Sequence, residues 1–307
     1  MTTSPTSHFI YANGLQQHVL EWVGEREPTA VAILLHGYMD AAGTWDLVAP
    51  ALTSASFRVI APDVRGFGEA SHAVQGHYYY FADYIADLEA LLEEMSLFKD
   101  PVLPLFMVGH SMGGIIGTLY TATFPEHIAR LALLEGLGPP SEPLSASVDC
   151  MRNWLKEMKV IRATCQQEGV EGMPLEEAYR RLCLRHPRVD ADVLRSRLSY
   201  LTKSVGEDRI VWCVDPRYKA AYPYPFRQDY FRAFAERIAQ PVLYIHGGPT
   251  GFRPPDEKER LASFANLTQA ELNQAGHMMQ WTQAAQVARL LIRFWGQGRV
   301  DDASESG

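Results

Sequence analysis

The chain reads as an α/β protein, with a mostly parallel twisted sheet, helices on both faces and a helical segment inserted late in the alternation. Three observations predict this. Apolar runs of strand length alternate with helical stretches as far as Leu131-Ala132-Leu133-Leu134. A serine flanked by glycines, Gly109-His110-Ser111-Met112-Gly113, stands between one such run and the helix that follows it. The alternation breaks at Gly136-Leu137-Gly138-Pro139-Pro140 and resumes at Pro241.

Taken in order, Phe9-Ile10-Tyr11 and Gln17-His18-Val19-Leu20-Glu21-Trp22 form a hairpin around Asn13-Gly14, a dipeptide suited to a turn with positive φ. Val31-Ala32-Ile33-Leu34-Leu35 is apolar throughout, as a parallel strand buried on both faces must be. Phe57 to Ala61 is a further strand. From Tyr80 to Met95 the apolar positions Ile85, Leu88, Leu91 and Leu92 share one helical face. Pro104 to Val108 is the strand before Ser111, Gly114 to Tyr120 the helix after it, and Leu131 to Leu134 the next strand. The stretch from about Pro139 to Gln240 is mainly helical and rich in aromatics: Trp154, Trp212, Tyr218, Tyr222, Tyr224, Phe226, Tyr230 and Phe231. Then follow a strand at Val242–Ile245, a helix from Asp256 to Phe264, a short strand at Gln269–Leu272 and an amphipathic helix from Thr282 to Trp295. The polar tail 301–307 has the composition of a disordered segment. The expected domains are a core of residues 1–138 and 240–307 and an inserted unit of residues 139–239.

A chain of 307 residues, 47% hydrophobic and 21% charged, can bury a large core. Its formal net charge of −8 and the absence of a basic run argue against nucleic acid as a partner. No stretch is apolar enough to span a bilayer, and Met1-Thr2-Thr3-Ser4-Pro5 lacks the basic start of a signal peptide, so a cytoplasmic protein is expected. Cys150, Cys165, Cys183 and Cys213 form no C-x-x-C pair, which points away from a metal site and towards small buried side chains in a reducing compartment. No metal or organic cofactor is expected. The oligomeric state is not legible.

The G-x-S-x-G pattern has mechanical meaning where it stands. A sharp turn from strand to helix pushes the Ser111 hydroxyl out at the carboxyl edge of the sheet, close to a helix N-terminus. Glu135 closes an apolar strand, and a carboxylate there is costly unless it is paired. Its strand should lie beside the one that carries Ser111, with both carboxyl ends facing one crevice.

Together with His36-Gly37, Asp63-Val64-Arg65-Gly66-Phe67-Gly68 and Gly276-His277, the serine turn gives nearly the whole chain a resemblance to the α/β-hydrolase superfamily. It is most similar to the serine-hydrolase-like branch, with a dehalogenase-like cap. The resemblance implies a chain order of serine, acid, histidine, and hence His277, the last histidine, as the base. His246 is the second choice. His36 and His110 are expected to support the loops around the site. Most relatives hold the acid in the loop after the strand at Val242–Ile245, where this chain has Thr250. Some dehalogenase-like relatives hold it at the position of Glu135, which is therefore assigned, with Asp256 as the substitute if Glu135 only caps its turn. The oxyanion donors would be the backbone N–H groups of Met112 and, from the loop after the third strand, Tyr38. Asp63, Arg65, Gly66 and Gly68 are read as a tight turn, and Asp215-Pro216-Arg217 as structural. The function implied is hydrolysis of a small or medium carboxylic ester, or a related acyl compound, through an acyl-enzyme. The gap at Thr250 keeps a rival alive: a ligand-binding or signalling protein with a vestigial site.

Overall fold

The structure, a computed structural model, describes residues 4–99, 103–165 and 172–296. Strands β1 (Thr6–Ala12) and β2 (Leu15–Trp22) form the hairpin around Asn13-Gly14, both of which have positive φ. There follow β3 (Ala30–Leu35), α1 (Ala49–Ser54), β4 (Phe57–Pro62), α2 (Phe81–Glu94), β5 (Leu105–His110), α3 (Met112–Thr123) and β6 (Ile128–Leu134). After β6 come α4 (Ser147–Cys165), α5 (Leu175–Arg185), α6 (Ala191–Leu201), the hairpin β7 (Thr202–Gly206) and β8 (Arg209–Trp212), and α7 (Gln228–Ala235). The chain closes with β9 (Val242–His246), α8 (Glu257–Leu261), β10 (Leu267–Glu271), α9 (Met279–Thr282) and α10 (Ala284–Gly296). The expected disordered tail lies outside the described residues. So does the side chain of Cys165. Cys150, Cys183 and Cys213 are free thiols and only half-buried, not core residues. Among the described residues no helix is long and apolar enough to cross a membrane.

The large sheet runs β1-β2-β4-β3-β5-β6-β9-β10. In this sheet β2 pairs antiparallel with both β1 and β4; from β4 to β10 every pairing is parallel. The strand order reverses direction between β3 and β5, so the crevice at the carboxyl edge opens there, where parallel α/β sheets place their sites. Side chains alternate across the sheet as the pleat requires. Val31, Ile33 and Leu35 of β3 join one core with α2, α3 and α7, while Ala30, Ala32 and Leu34 join the other with α1 and α10.

The segment between β6 and β9 is not purely helical. The β7–β8 hairpin went unread because Thr202–Gly206 is almost wholly solvent-facing and carries no apolar alternation. Its end is stitched to the core by backbone: Phe67 bridges Val214, Gly68 N–H donates to Cys213 O, and Asp215 N–H donates to Gly66 O. At the other end of the segment α7 packs on α3, and its Phe231 and Ala235 belong to the main core. A third core, with Leu182, Leu194, Leu198 and Ile210, also takes in Ala41 and Trp281 from outside the segment.

The helix expected from Thr282 to Trp295 is split into α9 and α10. Asp63 is a turn residue, as expected, and the turn is closed by its own network. Its carboxylate accepts from Ala42 N–H at 2.7 Å, Glu69 N–H at 2.9 Å and His18 Nδ1 at 2.7 Å. Gly68, at φ +55°, has no room for a Cβ against that carboxylate.

Arg197 of α6 is fully buried, bonds Thr44 O at 2.9 Å and pairs with Asp46 at 2.7 Å. Arg197→Met should remove this tie, leaving the Thr44 carbonyl without its partner and Asp46 with the Tyr200 hydroxyl at 3.2 Å. The expected loss is about 3 kcal/mol in urea unfolding, the scale of breaking a buried pair; a loss below about 0.5 kcal/mol would mean that apolar packing alone holds α6 in place.

Candidate active site

Three loops meet at the carboxyl edge of β5, β6 and β9. Ser111 follows β5 with φ 51° and ψ −117°, outside the conformations a side chain prefers. The turn holds because its neighbours lack side chains: a Cβ at Gly109 would overlap the backbone of Gly113, and one at Gly113 the carbonyl of Leu35. Ser111 N–H donates to Leu134 O at 3.0 Å, tying the serine to the end of the adjacent strand. The next residue, Met112, opens α3, so its N–H is one of the donors with no partner inside the helix, and the residue borders the cavity.

Glu135 follows β6, again with positive φ (46°), and is 3% exposed. Its N–H donates to Ile245 O at 3.0 Å, so it lies between β5 and β9. Three N–H groups satisfy its carboxylate: Gly247 N–H on Oε1, Phe252 N–H on Oε2 and His277 Nδ1 on Oε2, each at 2.7 Å. The loop after β9 thus carries no acid of its own and wraps around one supplied by β6. Gly251 leaves it room, since a Cβ there would overlap Glu135 Oε1. Thr250 sits in a single helical turn with its hydroxyl buried and without a hydrogen-bond partner.

His277 reaches this carboxylate from the loop between β10 and α9. His110 fixes that loop from below: its Nε2 bonds the His277 carbonyl at 2.8 Å, and its Nδ1 faces Gln280 Nε2 at 3.2 Å. Gln280 Nε2 also reaches Asp40 at 3.3 Å. Burial, and then the nearby charge of His277, holds the His110 pKa well below the ordinary histidine value. It is therefore a neutral strut. His36 ties its own loop in a similar way, with one ring nitrogen 2.9 Å from Val64 N–H and the other 2.8 Å from Gly37 O.

Ser111, Met112, Glu135, His277 and Tyr38 all border one cavity of about 830 Å³. Tyr38 also donates its hydroxyl to Tyr218 O at 2.6 Å. His246 lies apart, against Arg253 and Glu271. Asp256 is not on a solvated turn: it pairs at 2.7 Å with the fully buried Arg260, which also holds Leu137 O at 2.7 Å. Of the aromatics between β6 and β9, Trp154, Tyr218, Tyr222, Tyr224 and Phe226 line the cavity, while Trp212, Tyr230 and Phe231 do not. The sequence reading missed the run Tyr78-Tyr79-Tyr80-Phe81, which forms much of the opposite wall, and Phe252, whose ring meets His277 at 5.7 Å. Four consecutive aromatics just before a helix were the available signal. Asp215 connects the two walls, taking Tyr79 Oη at 2.6 Å and pairing with Arg217 at 2.6 Å. No group of His, Cys, Asp and Glu among the described residues is arranged to hold a metal.

A family profile described as alpha/beta hydrolase fold matches residues 31–284, and the chain belongs to that family. A serine hydrolase-like protein of Danio rerio is 27% identical over 168 residues, which are 54% of this chain and 50% of that protein, so the chain spans only half of that relative's length. A 3-hydroxybutyrate-oligomer hydrolase of Cupriavidus necator is 25% identical over 303 residues, 94% of this chain and 97% of that one. Among solved structures, a hypothetical protein of Pseudomonas aeruginosa superposes with a TM-score of 0.80 at 22% identity, covering 95% of this chain and 99% of its own. The thioesterase domain from the curacin biosynthetic pathway gives 0.79 at 21% identity, covering 94% and 99%. At these identities the structural likeness speaks for the fold.

The buried histidines set a pH dependence. Burial, with the charges of Arg185 and His277 adding, pushes His186 down to about 4, and His110 also stays neutral when folded. The unfolded chain binds protons at both positions below about pH 6.5, so it holds more protons than the folded one in that window. Stability should therefore fall as pH drops from about 6.5 towards 4, read as a lower urea midpoint at pH 5 than at pH 7. His186→Gln should flatten that slope; an unchanged slope would assign the acid sensitivity elsewhere.

Proposed function

We propose that the chain is a serine hydrolase of small or medium carboxylic esters or related acyl compounds, working through an acyl-enzyme. The observation that carries the reading is the 2.7 Å bond from His277 Nδ1 to a Glu135 carboxylate already held by two backbone N–H groups. That bond fixes the imidazole as a donor at Nδ1 and leaves Nε2 to accept a proton. The relatives' names, serine hydrolase-like and 3-hydroxybutyrate-oligomer hydrolase, are in keeping with it.

In this mechanism Ser111 Oγ attacks the ester carbonyl while His277 Nε2 takes its proton. The negative charge forming on the carbonyl oxygen is met by the N–H groups of Met112 and Tyr38, assisted by the N-terminus of α3. Glu135 stabilises the imidazolium without itself becoming protonated. His277 then protonates the departing alcohol. A water deprotonated by the same nitrogen attacks the acyl-enzyme, releases the acid and restores Ser111. A serine rather than an aspartate at the turn favours acyl transfer over displacement at an epoxide or halide carbon. Residues 139–239 act as a cap whose aromatics bound the acyl and alcohol space, which favours short and aromatic esters over long-chain triglyceride. No cofactor or metal enters the scheme.

A fluorophosphonate should modify Ser111 and nothing else, and Ser111→Ala should abolish both labelling and ester turnover. Absence of labelling in the wild type would favour a ligand-binding protein on the same fold. Glu135→Gln should lower turnover on the order of 10⁴-fold, by analogy with amidation of the acid in serine proteases. Gly251→Ala, although it touches neither substrate nor His277, should push the carboxylate aside and lower kcat in the same direction while KM moves little. A Gly251→Ala enzyme with full turnover would show that the carboxylate's position does not matter.

A further inference from the structure

The aromatic wall of the cavity differs from an ordinary apolar pocket in its electrostatics. Tyr78 and Trp154 meet edge to face with ring centroids 4.8 Å apart and planes at 73°. Beside them Tyr80, Tyr222 and Tyr224 pack pairwise at 5.9 to 6.3 Å. Ring faces carry the negative side of the aromatic quadrupole, so a ring of this wall that meets the occupant face-on attracts positive charge in addition to burying apolar surface.

The ionised groups of the lining point the same way. Among the described lining residues, Glu135 and His277 are committed to each other. The Arg217 guanidinium lies against the Asp215 carboxylate and donates to the carbonyls of Ala73, Val74 and His77, so its charge is already matched. Glu142 is different. It lines the cavity just before α4 and is exposed; among the described residues its carboxylate takes a weak contact from the Cys150 thiol at 3.9 Å, while Arg227, paired with Asp229, reaches its backbone carbonyl at 3.4 Å. It offers a negative charge to whatever occupies the cavity, and the net charge of −8 adds a field of the same sign. An anionic acyl group would find no unmatched cation among these residues.

We infer that the cavity takes an ester bearing an organic cation, whose ammonium end seats against Trp154, Tyr78 and the carboxylate of Glu142. The inference rests on the proposed ester hydrolysis for its substrate but not for its binding site. It names the charge of the substrate, which the family fold does not. A quaternary ammonium suits the wall because it has no N–H to satisfy, is weakly hydrated and presents methyl groups to ring faces.

The test compares two butyrate esters of matched shape, one of 2-(trimethylammonio)ethanol and one of 3,3-dimethylbutanol. The cationic ester should have about a tenfold higher kcat/KM, the scale of a partly desolvated cation–π contact. Glu142→Gln and Trp154→Leu should each bring that ratio towards one. A wild-type ratio of one or below, or a ratio that both variants leave intact, overturns the inference. Glu142 is an exposed position, so its variant keeps the test open should Trp154→Leu fail to fold. If neither ester is hydrolysed, the hydrolase reading fails, and calorimetry with phenyltrimethylammonium decides the inference by itself. Submillimolar binding weakened by Glu142→Gln supports it; no binding at millimolar concentration overturns it.

Discussion

The site is organised around one buried carboxylate. Glu135 stands at the end of a strand with almost no access to water, and an ionised group there is tolerable only if its oxygens are fully used. The fold uses them from two directions. The loop after β9 contributes the N–H groups of Gly247 and Phe252, and the loop before α9 contributes the His277 imidazole. Segments more than a hundred residues away in the chain are thereby held to one point. The left-handed backbone of Ser111 and Glu135 on neighbouring strands persists because these contacts and the β5–β6 register over-determine it.

A second layer of polar contacts keeps the two cavity walls in register. Tyr79 and Tyr218 stack at 4.1 Å, Asp215 takes the Tyr79 hydroxyl, and the Tyr218 hydroxyl donates to Arg65 O at 2.9 Å and meets the hydroxyl of Tyr84. Burial and the Asp215 charge both raise the Tyr79 pKa, and burial raises those of Tyr84 and Tyr218, so these phenols stay neutral and act as hydrogen-bonding struts. The shape of the cavity is in this sense a property of the contact between core and insertion.

Much of this was legible in the sequence because it obeys local rules. The parallel strands announced themselves as unbroken apolar runs, and the serine turn by glycines that nothing else could replace. Glu135 could be picked out because a carboxylate ending a buried strand needs a reason, and Thr250 removed the usual alternative. What escaped reading was set by distant partners. In the β7–β8 hairpin β7 carries no apolar alternation, and the core contact comes from Ile210 of β8, whose backbone also bonds Met173 far back in the chain. Asp256 reads as the start of a helix and a substitute acid, and nothing local reveals that Arg260, four residues on, is buried and pairs with it. Of the run Tyr78 to Phe81 only Tyr80 and Phe81 fall in the stretch that reads as helical, and only the fold brings all four to the cavity.

The third core has a consequence for how such a molecule could change over evolutionary time. Its apolar contacts are shared between Leu182, Leu194 and Leu198 of the insertion and Trp281 and Ala41 of the main body, with Arg197 buried at the same boundary. The insertion is therefore not a detachable module. Deleting it would strand the Trp281 indole at the surface, and any replacement segment would have to supply a new partner for that indole. Changes of side chain along the cavity wall leave this boundary intact, whereas exchange of the whole segment breaks it.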